Sequence, residues 1–512
     1  MERVAHPPLA PGGLLTPRSS PRCPTAHPDP ARIGDHEVRT GVPVARGVQG
    51  GWPTGPVGTC RGVRPPAYDH AVIDASLSQA DAWRPFVTAL RNSMPPGAAE
   101  AEFRGTMAPG AFGGSIAYDG DHSLPGLRLE RGERPTDMLR SLAGLTGGQT
   151  VAVRGVTTRS GSAVVSIVPS APQVSFGMGS DLLEDVHLVA GAHPEPYRRE
   201  PVRHDVALSA GADAATVTAL VRQLLPDARP VDPSELAAAE ADLGVALPDD
   251  VRALFLAAAE GTLVLQPADR ELFYGLRIVP LADAAARAYL EPQARYLSWT
   301  YGATEVVAPD PHGRVQQLAA SSAWFVVGED GGGNLYVVDL APGPQGTFGQ
   351  VLFVDHEMSA GARWLAPSLT ELLTERPATL AKPGPEGELL VRVGSRTGKT
   401  LADVQPTTEV LYIGAAAVPC DLSALAGHRL RTLVTESAVV ANLPATTELP
   451  ALEYLRLDVV GWQQLLRAGQ VPSTLLTAGL SGRAGWTDTV EVVNGLLAAW
   501  KRKPIQVIDV PV

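Results

Sequence analysis

The chain is 512 residues long, with 54 Asp/Glu against 42 Lys/Arg and a formal net charge of −12. That length leaves room for two to four domains with cores of their own, and 52 Gly with 46 Pro assign much of it to turns and linkers. Cys23, Cys60 and Cys420 form no CxxC pair and no even framework, which argues against a disulfide scaffold or a cysteine-based zinc site.

No apolar run approaches the roughly 18 residues of a spanning helix. The N-terminus lacks the roughly 7–15-residue apolar core of a signal peptide, so a cytoplasmic protein is the default expectation. Residues 1–66 carry 13 prolines and eight arginines with almost no periodicity. Such a segment cannot bury enough apolar surface to offset the entropy of ordering, and is expected to be disordered. Residues 68–200 read as an α+β region of unassigned role. Asp69 to Leu90 has an imperfect helical stripe of Val72, Leu77, Ala80 and Trp83. Gln149–Arg154 and Ala163–Val168 read as a hairpin around Arg159-Ser160-Gly161.

The centre has sharper signals. Asp213 caps a helix with the stripe Val217, Leu220, Val221, Leu224 and Leu225, closed by Pro226. Asp232-Pro-Ser-Glu235 reads as an N-cap, a proline at the first helical position and a glutamate placed to reach back to the cap. Gly244 stops that helix. Asp249 and Asp250 favour the next start through the helix dipole, with Val251, Leu254, Phe255 and Ala258 facing inward. Trp324 to Leu340 reads as apolar strand, glycine turn, apolar strand, and Gly349 to Glu357 as a third strand ending in Asp355-His356-Glu357. A short helix from Ser368 to Thr374 closes the domain. Of the 27 aromatic residues, 13 lie between Phe255 and Trp364, so the best-formed core is expected here.

Towards the C-terminus, apolar strokes begin at Leu389, Leu411, Leu433, Leu455 and Leu475, at intervals of 22, 22, 22 and 20 residues. With Leu452-Glu-Tyr-Leu-Arg-Leu457, this period suggests a short degenerate leucine-rich-repeat-like solenoid. A helix over about Thr487–Trp500 and a strand Ile505–Val510 read as its cap. Gly394-Ser-Arg-Thr-Gly-Lys-Thr400 is one residue short of a phosphate loop and reads as a turn between strands.

Candidate chemistry is sparse. There is no Gly-x-Ser-x-Gly elbow and no His-x-x-x-His pair. Asp355-His356-Glu357 is the only dense acid–base group, and alternation along a strand turns His356 away from its neighbours, which suits a contact surface better than catalysis. Residues 232–376 hold 20 Asp/Glu and eight Arg, the whole net charge of the chain. Such a segment repels nucleic acid and attracts basic partners.

Glu240-Ala-Asp-Leu-Gly-Val-Ala-Leu-Pro-Asp-Asp250, the strand Leu276–Leu281 running to Pro-Leu, the Trp324–Leu340 hairpin, Gly349–Glu357 and Leu365–Leu373, in that order, resemble the SUKH superfamily. This superfamily includes Smi/Knr-type cell-wall-assembly regulators and bacterial immunity proteins. The family ends its second helix with an Asn-Gly-Gly-like turn, where this chain has Ala259-Glu260-Gly261. The resemblance implies a mixed sheet with packed helices, and binding in place of catalysis. The expected organisation is then residues 1–66 disordered, 68–200 α+β, 205–377 SUKH-like and 385–512 repeat-like. The expected role is a non-enzymatic protein-binding module, most concretely an immunity protein that neutralises a basic toxin domain. Exposed members of Tyr301, Trp324, Asp330, Asp355 and His356 are the candidate contacts, with no cofactor, metal, nucleic acid or membrane. The alternatives are a scaffold using the repeat face and, less favoured, an enzyme using Asp355 and His356.

Overall fold

The computed structural model describes residues 75–108, 111–119, 135–177, 182–264, 275–283, 290–375, 388–415, 419–482 and 484–512. The expected disorder of residues 1–66 lies outside them. The fold is α+β, with three sheets among the described residues.

The first helix, α1 (Ala80–Asn92), is shorter than the stripe from Asp69 predicts. Gln79 is extended, and a 3-10 turn (Ala75–Ser78) precedes it, folded back by a hydrogen bond from Trp83 Nε1 to Leu77 O at 2.7 Å. Trp83, Phe86, Val87 and Leu90 form the buried face. Then come β1 (Glu100–Ala108), β2 (Ala111–Tyr118), α2 (Pro135–Ala143), and the expected hairpin β3 (Val151–Thr158) and β4 (Ala163–Pro169). Two short strands follow, β5 (Val174–Phe176) and β6 (Leu183–His187).

The central segment opens with α3 (Ala214–Leu224), α4 (Pro233–Leu243) and α5 (Asp249–Ala257). Asp213 and Asp232 cap the first two by accepting from Ala215 N and Ser234 N, and Gly244 ends α4 at φ 65°, a left-handed conformation that glycine adopts without strain. Glu235 does not close the capping box that the sequence suggests. Its side chain is exposed, and the Asp232 carboxylate accepts from Ser234 through both N–H and hydroxyl. The sheet contains β7 (Gly261–Leu263) and β8 (Leu276–Ile278) and, after the one-turn helices α6 (Pro292–Arg295) and α7 (Trp299–Gly302), β9 (Trp324–Glu329), β10 (Leu335–Asp339), β11 (Gln350–Val354) and β12 (Arg363–Ala366). Helix α8 (Leu369–Thr374) is capped by Ser368. The strands run in the order β12-β11-β10-β9-β8-β7, each pair antiparallel. Strands β9, β10 and β11 are buried on both faces, between the helices on one side and a smaller cluster around Trp324, Val326, Val337 and Leu352 on the other. That double burial explains why they read as continuous apolar runs.

The last third contributes β13 (Leu390–Val393), β14 (Val410–Ile413), β15 (Thr432–Val434), β16 (Tyr454–Asp458), α9 (Val459–Ala468), β17 (Thr477–Ser481), α10 (Trp486–Ala499) and β18 (Ile508–Pro511). Strands β13 to β17 pair in parallel, with Val391, Leu411, Leu433, Leu455 and Ala478 aligned, at spacings of 20, 22, 22 and 23 residues. Leu389 and Leu475 lie in the turns before their strands, which is why the intervals counted from them differ. Two pairings are non-local. Antiparallel β6 and β5 extend the parallel ladder beyond β17, and β18 is the edge strand of the first sheet, against β4. The segments expected at 68–200 and 385–512 therefore share both of their sheets.

The central segment rests on this ladder. Trp299 stacks on Tyr454 at 6.0 Å, and the Asp185 carboxylate accepts from Tyr454 OH (2.8 Å) and from Thr300 N and Oγ1. Buried Arg431 donates to the carbonyls of Ala303 and Glu305 and pairs with Glu409, which also pairs with Arg199.

Candidate partner-binding surface

At one end of the central sheet the β9–β10 turn is built around Asp330. Its carboxylate accepts from Gly332 N (2.7 Å), Asn334 N (3.1 Å) and Asn334 Nδ2 (2.6 Å). Gly331 and Gly333 have φ of 83° and 102°, which the turn requires and a side chain would resist. Asn334 Oδ1 accepts from His356 N at 3.0 Å and lies 2.9 Å from His356 Nδ1. Asp355 accepts from Glu357 N and pairs with Arg363 at 2.9 Å.

Asp330, Asp355 and His356 are thus brought together: Asn334 bridges Asp330 and His356, whereas Asp355 is held by Arg363. Asp355 and His356 share no hydrogen bond among the described contacts, so the geometry contains no proton relay between them. Asp330 is a turn former. Exposed His356 and Glu357 are what this end presents to solvent.

The other two predicted contacts lie elsewhere. Trp324 sits at the far end of β9, opposite Asp339, and is 4% exposed, so it is a core residue and no surface anchor. The reason is the small cluster on the second face of the sheet, which alternation alone does not reveal. Tyr301, on α7, is 60% exposed.

The charge of the segment is unevenly used. Its described arginines are all engaged: Arg252 with Glu240, Arg277 with Glu329, Arg314 with Asp310, Arg363 with Asp355, and buried Arg295 with the carbonyls of Ala319, Gly361 and Met358. Burial of Glu240 raises its pKa, but hydrogen bonds from Arg252 and Leu247 N outweigh that and hold it below its ordinary value. Exposed Glu235, Asp242, Asp249 and Glu260 have no ion-pair partner among the described residues. They share one helical hairpin, because Val231 N donates to Phe255 O and Ala259 N to Arg229 O, tying the start of α4 to the end of α5. Asp232 adds its charge at the same end, held ionised by hydrogen bonds from Ser234. Exposed Arg229 offsets part of this beside Glu260. These acidic positions escaped the sequence reading because helix-start acids have a local explanation in capping and dipole effects. The segment's net charge was the signal that pointed to them.

Among the described residues no group of three or more His, Cys, Asp or Glu is placed to hold a metal ion, and no helix is long and apolar enough to cross a membrane. Compared with known proteins, the chain has no match among curated sequences. Residues 230–375 match the model of the SMI1 / KNR4 family (SUKH-1), a protein-binding, immunity-type domain family that is generally non-enzymatic. The six-stranded antiparallel sheet with α4, α5 and α8 packed on it is therefore a SUKH domain, carried at the centre of this chain.

Proposed function

We propose that the chain is a non-enzymatic protein-binding protein, most concretely a bacterial immunity protein that binds and neutralises a cognate basic toxin domain in the cytoplasm. The observation that carries this reading is the unpaired acidic face of α4 and α5. Arg252, Arg277, Arg314 and Arg363 are held in internal ion pairs and Arg295 by backbone carbonyls, so exposed Glu235, Asp242 and Asp249 project a field that accelerates encounter with a basic surface. His356, Glu357 and Tyr301 are proposed as further contacts. Growth rescue tests it. The full chain is co-expressed with each basic toxin domain encoded by its host. One such toxin is expected to be neutralised and to co-purify. Absence of any rescue, with no basic protein retained by the tagged chain, removes the reading.

A second reading is a scaffold whose leucine-rich-repeat-like ladder holds a partner. It is favoured by the row Arg392, Tyr412, Val434 and Arg456, which lies beside the row covered by α7 and stays partly exposed, with the Arg392 guanidinium 4.8 Å over the Tyr412 ring. Partner loss on Tyr412→Ala with Arg456→Glu, but not on reversal of the α4 and α5 acids, distinguishes it. An enzyme built on Asp355 and His356 is the least supported reading. A His356→Ala variant that keeps all measurable activity removes it.

A further inference from the structure

Where the ladder, the connector after β6 and the central domain meet, a cleft of about 280 Å³ is lined by Pro172, Ser175, His187, Val189, Gly191, Ala192, His193 and Tyr296 to Trp299. Among the described residues the Ser298 hydroxyl, shielded from solvent, has no hydrogen-bond partner, and His187 and Tyr296 line the same cleft. A buried polar group ordinarily finds a partner, so Ser298 marks a place for a ligand group.

The chemistry of the walls narrows the ligand. Burial lowers the pKa of His187 and of His193, and burial with the nearby Asp185 carboxylate raises that of Tyr296, so all three are neutral at physiological pH. The surrounding charges are of both signs: Asp185 against Arg198 and Arg502. Neither an anion nor a cation gains a consistent field, and what remains is an uncharged group that both donates and accepts hydrogen bonds. Of the rest of the lining, Ser175 is engaged by the Asp185 carboxylate and the other residues are apolar or aromatic. Leu297 and Val189 stand 74% and 39% exposed, and Tyr301, on the one-turn helix that Trp299 begins, is 60% exposed. An apolar rim around a polar floor suits an amphipathic ring, the commonest kind of anchor in protein interfaces.

We propose that this cleft receives a neutral aromatic side chain with a polar tip, of tyrosine or tryptophan type, presented by the protein partner. This rests on the reading of the chain as a protein-binding protein, but its test needs no partner. N-acetyltyrosinamide and N-acetyltryptophanamide are titrated into the full-length protein and followed by saturation-transfer NMR, beside N-acetyllysinamide, the neutral-capped glutamate analogue and glucose. The two aromatic probes are expected to bind. Ser298→Ala is expected to weaken them about three- to tenfold, as for one lost hydrogen bond. Leu297→Glu, at a side chain too exposed to affect folding, is expected to weaken them as well. Equal binding of a charged probe or of glucose, no aromatic binding, or aromatic binding indifferent to both variants overturns the proposal. Toxin rescue that survives Leu297→Glu leaves the immunity reading standing on the α4 and α5 face, so the two can fail separately.

Discussion

Asp339 is an acid held in the core of the fold. It ends β10, opposite Trp324 on one side and Gln350 on the other. In the structure it is 1% exposed, accepting from Ala341 N and Gln350 Nε2, because the chain after β10 folds back over it. Burial pushes its carboxyl from 3.8 up to about 6. Between those values the folded protein holds a proton that the unfolded chain has released. Stability therefore falls as pH rises from about 4 to about 6 and levels off above, by on the order of 2 kcal/mol from this residue. Urea denaturation at pH 4.5 and pH 7 is expected to show this loss in the wild type and a flatter profile in Asp339→Asn. Parallel profiles would contradict it. Trp324 is buried as well. A strand buried on both faces hides its large residues however polar its turn.

At the scale of elements, what was legible was local. The β9–β10 hairpin, the β3–β4 hairpin and the caps at Asp213 and Asp232 depend on residues within a few positions of each other, and glycine and aspartate state them directly. Asp330→Ala removes three hydrogen bonds from one such turn and is expected to cost about 1–3 kcal/mol in thermal denaturation. The illegible pairings are long-range. Nothing in Ile508–Pro511 names β4 as its partner, some 340 residues earlier by the Ser166–Asp509 contact. Ending the chain after Lys503 is expected to strip hydrogen-exchange protection from Val164–Ile167 while leaving Phe325–Val354 protected. Unchanged exchange in β4 would mean that this pairing is not formed in solution. The parallel strands β13 to β17 lie close to the apolar strokes, but Leu389 and Leu475 were poor phase markers because apolar residues of the preceding turns, such as Leu475 at 1% exposure, also pack inward.

At the scale of the whole molecule, the SUKH domain is embedded and not appended. The ladder borrows β5 and β6 from the N-terminal side and returns β18 to it, and Arg431, Glu409, Arg199 and the Trp299–Tyr454 stack fix the central domain on its face. Removing residues 385–512 would open two sheets, so surface substitutions are the cleaner way to separate one binding face from another. The account's central claim is that the acidic face of α4 and α5 recruits a basic protein partner, and association kinetics test it most directly. The basic protein retained by the tagged full chain from its native host is bound to wild type and to Glu235→Lys/Asp242→Lys/Asp249→Lys, at about 50 and about 500 mM salt. The account predicts an association rate that drops at least about tenfold with salt in the wild type, and by a similar factor in the triple variant at low salt, with circular dichroism unchanged. An association rate that neither salt nor charge reversal alters would contradict it.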